Sequence, residues 1–501
     1  MINERISGVL LHITSLPSKY GIGDLGYEAY NFVNFLQETG QKVWQILPIG
    51  PTGYTNSPYS CESALAGNPE LISFEKLKDI GLLTEEELSQ VPEHNPDFVD
   101  FGGIYLEKDN LLRIAFQRFK DSLDENLKNE FHNFCDSNNW WLHDYGVFMA
   151  VTEEYKRNGH NGDWSYWEPP ILCHTEESVK EYDVKLGDDV LYNKFQQYIF
   201  YKQWYELKAY ANERGIKMLG DIPINVAFDS ADVWANPHLF LLDENRKPVV
   251  VAGIPDDNGG EGQKWGNPLF NWEELRKTNY DWLVKRMAKN LEIYDIVRLD
   301  HFTAYVHYWA IPFAAETANE GQWLQTPGEE LFQAFTQAFG ENLPIVVEDF
   351  GINTTQEVFE LRDRYACTGM KILQFGFSGD ENNPYLPQNF ETENSLCYTG
   401  NHDNNTIRGW FNSISDNEKS FLLSITQTDG NNINWDMIKM ALMSKSNLAI
   451  YQMQDLLDLD ENARMNNPGM SQNNWAWRFR WESVTPELKI ALKSLTEESG
   501  R

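Results

Sequence analysis

Three segments in the C-terminal half of the chain carry acids in a similar setting: Arg298-Leu299-Asp300-His301, Val346-Val347-Glu348-Asp349 and Gly400-Asn401-His402-Asp403. Each closes or follows a short apolar run. Intervals of roughly fifty residues between the acids leave room for a strand, a helix and loops, so successive strands of one sheet can feed a single site. Breaking a glycosidic bond with retention needs such a set: one carboxylate attacks the sugar, and a second carboxyl roughly 5 to 5.5 Å away acts first as acid and then as base. A third can steady the substrate. An isolated Asp or Glu after a strand is ordinarily a cap or an ion-pair partner, but three in register point to shared chemistry. Arg298 leaves its strand on the same face as Asp300, because strand side chains alternate with period two, and from there it can hold Asp300 ionised. His301 and His402 read as supporting neighbours rather than metal ligands.

Acids placed this way require strands that are buried along their length and open at one end. The run Tyr294 to Leu299 fits a strand covered on both faces, with polar residues tolerated where it emerges at its carboxyl end. Eight such runs are present: Gly8 to Ile13, Lys42 to Ile49, Ile216 to Ile224, Ile296 to Phe302, Ile345 to Gly351, Met370 to Phe377, Ser395 to Asp403 and Asn447 to Leu457. Helical patterns separate several of them, at Tyr27 to Thr39, Phe195 to Arg214, Asp281 to Leu291 and Thr355 to Arg364, whereas Ser378 to Asn394 reads as a loop. This alternation predicts an α/β fold, a (β/α)8 TIM barrel spanning residues 1–501 as a single catalytic unit, with loop insertions at its carboxyl face. Residues 50–215 lie between the second and third strands, far more than a crossover helix uses. They predict a large, mostly helical inserted subdomain, with acidic helices at Leu83 to Val91 and Glu107 to Leu127 and aromatic clusters at Trp140-Trp141 and Trp164-Ser165-Tyr166-Trp167.

Composition narrows the partners. A formal charge of −34 over 501 residues repels nucleic acid, anionic membrane surfaces and polyanionic substrates, so a neutral ligand fits best. The 17 Trp and 23 Tyr residues offer flat apolar faces with polar edges, which suit sugars as well as core packing. Five scattered cysteines without a CxxC pair imply neither a disulfide framework nor a zinc site. No basic-then-apolar leader opens the sequence and no 18-residue apolar stretch occurs, so the expectation is a cytoplasmic protein, monomer or homodimer. Gly21-Ile-Gly23-Asp-Leu-Gly26 matches the dinucleotide fingerprint but not its context: Thr14 to Tyr20 intervene after the strand, and the next strand ends without an acid for a ribose. Gly50-Pro-Thr-Gly53 lacks the Lys of a phosphate loop, and no HExxH or similar metal spacing is present. No cofactor and no metal are expected.

Motifs along almost the whole chain give it a family. It resembles the bacterial amylomaltases, the 4-α-glucanotransferases of glycoside hydrolase family 77, in Leu10-Leu-His12-Ile-Thr-Ser-Leu-Pro17, Trp44-Gln-Ile-Leu-Pro48, Ser57-Pro-Tyr59, Ala66-Gly-Asn-Pro69, Gly220-Asp-Ile-Pro223, Gly262-Gln-Lys-Trp-Gly-Asn-Pro268, Gly369-Met-Lys-Ile-Leu-Gln-Phe375, Tyr398-Thr-Gly-Asn-His-Asp-Asn404 and Arg464-Met-Asn466. The resemblance implies that Asp300 is the nucleophile, Glu348 the general acid/base and Asp403 the stabiliser that grips sugar hydroxyls. It also implies that Arg298, His301, His402 and Asp221 bind substrate, and that Tyr59 and Trp265 are aromatic platforms for malto-oligosaccharides and other α-1,4-glucans. On this assignment Glu348 must hold a proton, with its pKa raised, while Asp300 stays ionised. Asp349 is expected to orient its neighbours.

Several positions depart from the family pattern. Thr303-Ala304 stand where Arg-Gly is usual, Ala310 replaces a Glu, and Ser60-Cys61 replaces Gln-Ser. The loop 255–262 lacks the usual aromatic and Ser and is one residue short. Two rival readings remain at this point: an α-amylase-like hydrolase, which shares the three acids and lets water attack, and a glucan-binding protein on an inactive barrel, which would lack one of them.

Overall fold

The structure, a computed structural model, describes residues 2–53, 55–256, 260–470 and 472–501. Its strands are β1 (Ile6–Leu10), β2 (Val43–Gln45), β3 (Lys217–Ile222), β4 (Val250–Ile254), β5 (Gln263–Pro268), β6 (Ile296–Leu299), β7 (His307–Pro312), β8 (Gln322–Gln325), β9 (Ile345–Val347), β10 (Thr368–Ile372), β11 (Ser395–Tyr398) and β12 (Leu448–Gln452). Eight of them, β1, β2, β3, β6, β9, β10, β11 and β12, form a closed parallel barrel in chain order, so the (β/α)8 expectation holds. Six of the eight fall within the expected runs, while β1 and β10 overlap theirs and begin two residues earlier, at Ile6 and Thr368. The ring closes where β12 pairs with β1, Ile6 opposite Leu448 and Leu10 opposite Gln452.

Period two divides each barrel strand between the interior and the helical shell. Ile6, Val43, Leu219, Ile296, Val346, Met370, Leu396 and Leu448 pack together inside the barrel, while Val297, Leu299 and Val347 join the larger core beneath the helices. Following the inward register upward from Leu219 reaches Asp221, from Ile296 reaches Arg298 and Asp300, and from Val346 reaches Glu348. The apolar plug thus ends in a polar layer at the carboxyl end. Gly220 lets β3 approach the neighbouring wall: a Cβ there would lie 2.3 Å from the Tyr294 ring.

The helices Tyr27–Glu38, Asp281–Ile293 and Gln356–Arg364 lie where periodicity predicts them, and the connection 378–394 contains only the short turn Pro387–Asn389. Between β2 and β3 the chain forms the helices Phe101–Asp121, Glu125–Arg157 and Gly187–Glu213 with shorter turns among them. The expected helix Glu107 to Leu127 is instead two. Asp124 accepts the N–H groups of Asn126 (3.0 Å) and Leu127 (3.1 Å) and starts a new helix, because a side-chain cap offers the orphan donors of a helix start a partner. The strands β5, β4, β7 and β8, in that order, make an antiparallel sheet beside the barrel. Periodicity did not reveal this sheet.

Candidate active site

Arg298 organises the polar layer. Its side chain is 1% exposed, and its Nη1 donates to Asp221 Oδ2 at 2.5 Å and to Asp300 Oδ1 at 3.0 Å, while its Nη2 donates to Glu348 Oε2 at 2.7 Å. One guanidinium therefore aligns two carboxyls from adjacent strands and a third from β3. The backbone N–H of His301 adds a further bond to Glu348 Oε2, 3.0 Å, from a residue in the left-handed region at φ 48°. A non-glycine residue held in that conformation where chemistry-bearing groups converge is strain kept in place by its surroundings.

Asp403 approaches from β11. Its Oδ1 accepts from Asn466 Nδ2 at 2.6 Å, its N–H donates to Asn401 Oδ1 at 2.9 Å, and its carbonyl accepts from the Arg464 guanidinium. Next to it His402 stacks on Tyr59, ring centroids 5.1 Å apart and 13° from parallel, and Trp475 touches both rings at 5.9 and 6.0 Å. The Tyr59 hydroxyl donates to Asp221 Oδ2 at 2.8 Å, linking the stack back to the carboxylates. On the opposite side Trp265, 38% exposed, meets the His301 ring edge-on at 5.2 Å and donates from Nε1 to Gln263 Oε1 at 3.0 Å. All nine residues singled out in the sequence belong to this cluster or its rim.

The electrostatics reverse the expected order of the two acids. Burial, reinforced by Glu348 and Asp221, pushes the Asp300 carboxyl well above the usual carboxylate range despite Arg298. Glu348 is also buried, yet Arg298 and the His301 N–H hold it below its ordinary value. Geometry explains the difference: Glu348 takes Nη2 of Arg298 and a backbone donor, whereas Asp300 shares Nη1 with Asp221. Asp221 too is raised by burial against the pull of Arg298, and burial keeps His301 and His402 neutral by lowering both.

Asp349 points away from this cluster, accepting from Arg362 Nη1 at 2.5 Å and from the Met370 N–H at 2.8 Å, so it ties β9 to β10. The departures Thr303, Ala304 and Ala310 are buried in packing, at most 4% exposed. The Ala304 carbonyl takes the Thr326 hydroxyl at 2.8 Å. Cys61 lies behind Tyr59 with its thiol on the Pro58 carbonyl, 3.1 Å. Of the short loop 255–262, Asp257, Asn258 and Gly259 lie outside the described residues. Among those described, no group of three metal-ligating side chains is assembled and no helix is long and apolar enough to cross a membrane. Sequence reasoning left Asn466 and Trp475 without roles. Asn466 was visible in Arg464-Met-Asn466, but nothing local told that it reaches Asp403.

Comparison with known proteins decides among the readings of this cluster. The family model described as 4-alpha-glucanotransferase, glycoside hydrolase 77, matches residues 11–485. The chain belongs to this family. It is 44% identical to the 4-alpha-glucanotransferase of Synechocystis sp., covering 100% of this chain and 99% of that one, and 41% identical to that of Thermus thermophilus, with 99% of each covered. The amylomaltase from Streptococcus agalactiae, solved in complex with acarbose, superimposes with a TM-score of 0.95 at 38% identity, covering 99% of this chain and 100% of that one. The amylomaltase of Corynebacterium glutamicum, 16% identical with a TM-score of 0.80, shares the fold.

Proposed function

We propose that this 4-alpha-glucanotransferase transfers segments of malto-oligosaccharides by double displacement within the cluster held by Arg298. Asp300 attacks C1 of the sugar at the scissile α-1,4 bond, and Glu348 gives its proton to the departing glycosidic oxygen, so that the leaving glucan departs with a new 4-hydroxyl. The glycosyl group now rests on Asp300 as an ester. An incoming glucan then delivers its 4-hydroxyl proton to Glu348 and attacks C1, which restores the Asp300 carboxylate with the anomeric configuration retained. Asp403 grips hydroxyls of the reacting sugar. Arg298, Asp221, His301 and His402 line the sugar, and Tyr59 and Trp265 carry its chain. Residues 50–215 are an inserted helical region of one catalytic barrel over 1–501, and the setting is cytoplasmic.

The observation that carries this reading is the triple contact of Arg298 with Asp221, Asp300 and Glu348. Burial raises Asp300 while Arg298 and the His301 N–H favour an ionised Glu348, so the proposed reaction asks bound substrate to favour the proton on Glu348 before the bond breaks. A sugar hydroxyl that displaces Arg298 or the His301 N–H from Glu348 would do so. Maltotriose as the sole substrate tests the function: glucose and a ladder of longer maltodextrins should form while total reducing ends stay nearly constant. Reducing ends that rise with substrate consumption, with no product longer than the substrate, identify a hydrolase and overturn transfer.

A further inference from the structure

Behind the site, the helix Asp281–Ile293 turns Arg286 toward the barrel. The residue is 6% exposed; its Nη2 donates to the Pro223 carbonyl at 2.7 Å and its Nη1 to that of Ile224 at 3.3 Å. These carbonyls follow β3 directly, just past Asp221. Asp232 feels its charge, but among the described residues no carboxylate makes a direct ion pair with it, so burying this guanidinium is costly unless its hydrogen bonds offset the loss of water. Capping two carbonyls is one offset. A second is visible on the other side of the guanidinium. Its Nε and the Oδ1 of Asp221 are both buried and both without a hydrogen-bond partner, and the two residues line one chamber together with Tyr59, Cys61, Asn290 and Tyr294. About 50 Å³ of that chamber admits water, where one buried water needs roughly 10–15 Å³. An unpaired donor and an unpaired acceptor on the walls of one solvent-sized space are complementary ends of a bridge.

We propose that Arg286 is a positioning residue for the transfer reaction, fixing the end of β3 through the Pro223 and Ile224 carbonyls and orienting Asp221 across the chamber. Asp221 spends its other oxygen on Tyr59 and Arg298. It is thus the joint between the chamber and the reacting carboxyls. When Arg286 is lost, Asp221 is free to turn, Tyr59 loses its acceptor, and Arg298 no longer presents Asp300 and Glu348 in one fixed geometry. Arg286 touches neither substrate nor reacting atoms; its effect reaches them through the end of β3 and the Asp221 it carries.

This inference rests on the assignment of Asp300 and Glu348, and the experiment separates the two. Arg286→Lys, Arg286→Met, Tyr59→Phe, the Arg286→Lys/Tyr59→Phe pair and Asp300→Asn are compared for kcat and KM on maltotriose and for thermal midpoint. Both Arg286 variants should lose about tenfold to a hundredfold in kcat, as small misplacements of reacting groups do, with KM changed by less than about threefold. The double variant should lose much less than the product of the single losses, because both act through Asp221. A folded Arg286 variant with wild-type kcat, or multiplicative losses in the double variant, overturns the proposal. If Arg286→Met does not fold, Arg286→Lys decides by the same two readouts. An active Asp300→Asn enzyme breaks the underlying assignment instead, whereas an inactive one beside a fully active Arg286→Lys breaks only the role of Arg286.

Discussion

One cation bonded to three carboxylates limits how the innermost residues ionise. Arg298 offsets one negative charge, and the Asp300–Glu348 pair retains a proton into a pH range where free carboxylates have lost theirs. The proposed reaction needs the singly protonated pair, so kcat/KM should follow a bell, with a basic limb above the ordinary carboxylate range as that proton is lost. A pH–rate profile that stays flat across that range contradicts this picture. Asp300→Asn, Glu348→Gln and Asp403→Asn should each leave a folded protein with activity reduced by at least about a thousandfold. With a donor whose leaving group needs no acid, Glu348→Gln should also accumulate a glycosyl ester on Asp300, detectable by intact mass and peptide mapping; a label on Glu348, Asp349 or Asp403 would assign the nucleophile elsewhere. Much of this was legible from spacing, since period two alone puts Arg298 beside Asp300. The opposite directions of the two shifts were not, because they turn on how Arg298 divides its donors, Nη2 to Glu348 and Nη1 shared by Asp300 and Asp221, and on a backbone N–H added by His301, which no residue pattern announces.

At the scale of elements, the barrel strands were readable because burial on both faces leaves continuous apolar runs. The sheet of β4, β5, β7 and β8 was not. Gln263-Lys-Trp-Gly-Asn-Pro268 alternates no apolar face, and it forms a strand through pairing with β4, a tertiary cause. The helix break before Asp124 was missed for a related reason: a cap competes with helix continuation, and the apolar pattern runs past it. The close approach at Gly220 gives a prediction that belongs here. Gly220→Ala would force its Cβ against the Tyr294 ring, 2.3 Å away, an overpacking that costs about 1–3 kcal/mol. It should lower the thermal midpoint and, by shifting the adjoining Asp221, reduce kcat as well. A midpoint and kcat equal to those of the wild type would show that β3 yields there without consequence.

Over the whole molecule, the acid excess reaches into the core. Burial pushes Asp24 up to about 6 and Asp455 up to about 7, and both are nearly inaccessible, at 7% and 1% exposed. A carboxyl whose folded pKa exceeds its unfolded value contributes stability that is complete below the unfolded pKa and disappears as pH rises through the folded one. Repulsion within a chain of net charge −34 acts in the same direction. The thermal midpoint should therefore fall as pH is raised from about 5 to about 8, by an amount that Asp455→Asn reduces. A midpoint that rises over that interval would show that other groups dominate.

The stack of Tyr59, His402 and Trp475 has a consequence for how the protein comes into being. Its three rings come from distant parts of the polypeptide, and the ring of strands closes only when β12 meets β1. A growing chain can therefore hold all three acids on the ribosome well before Trp475 is made, yet have neither a shut barrel nor a sugar-binding surface. Pairings so remote in sequence form late and slowly. Catalytic competence should appear abruptly near the end of synthesis rather than accumulate with length.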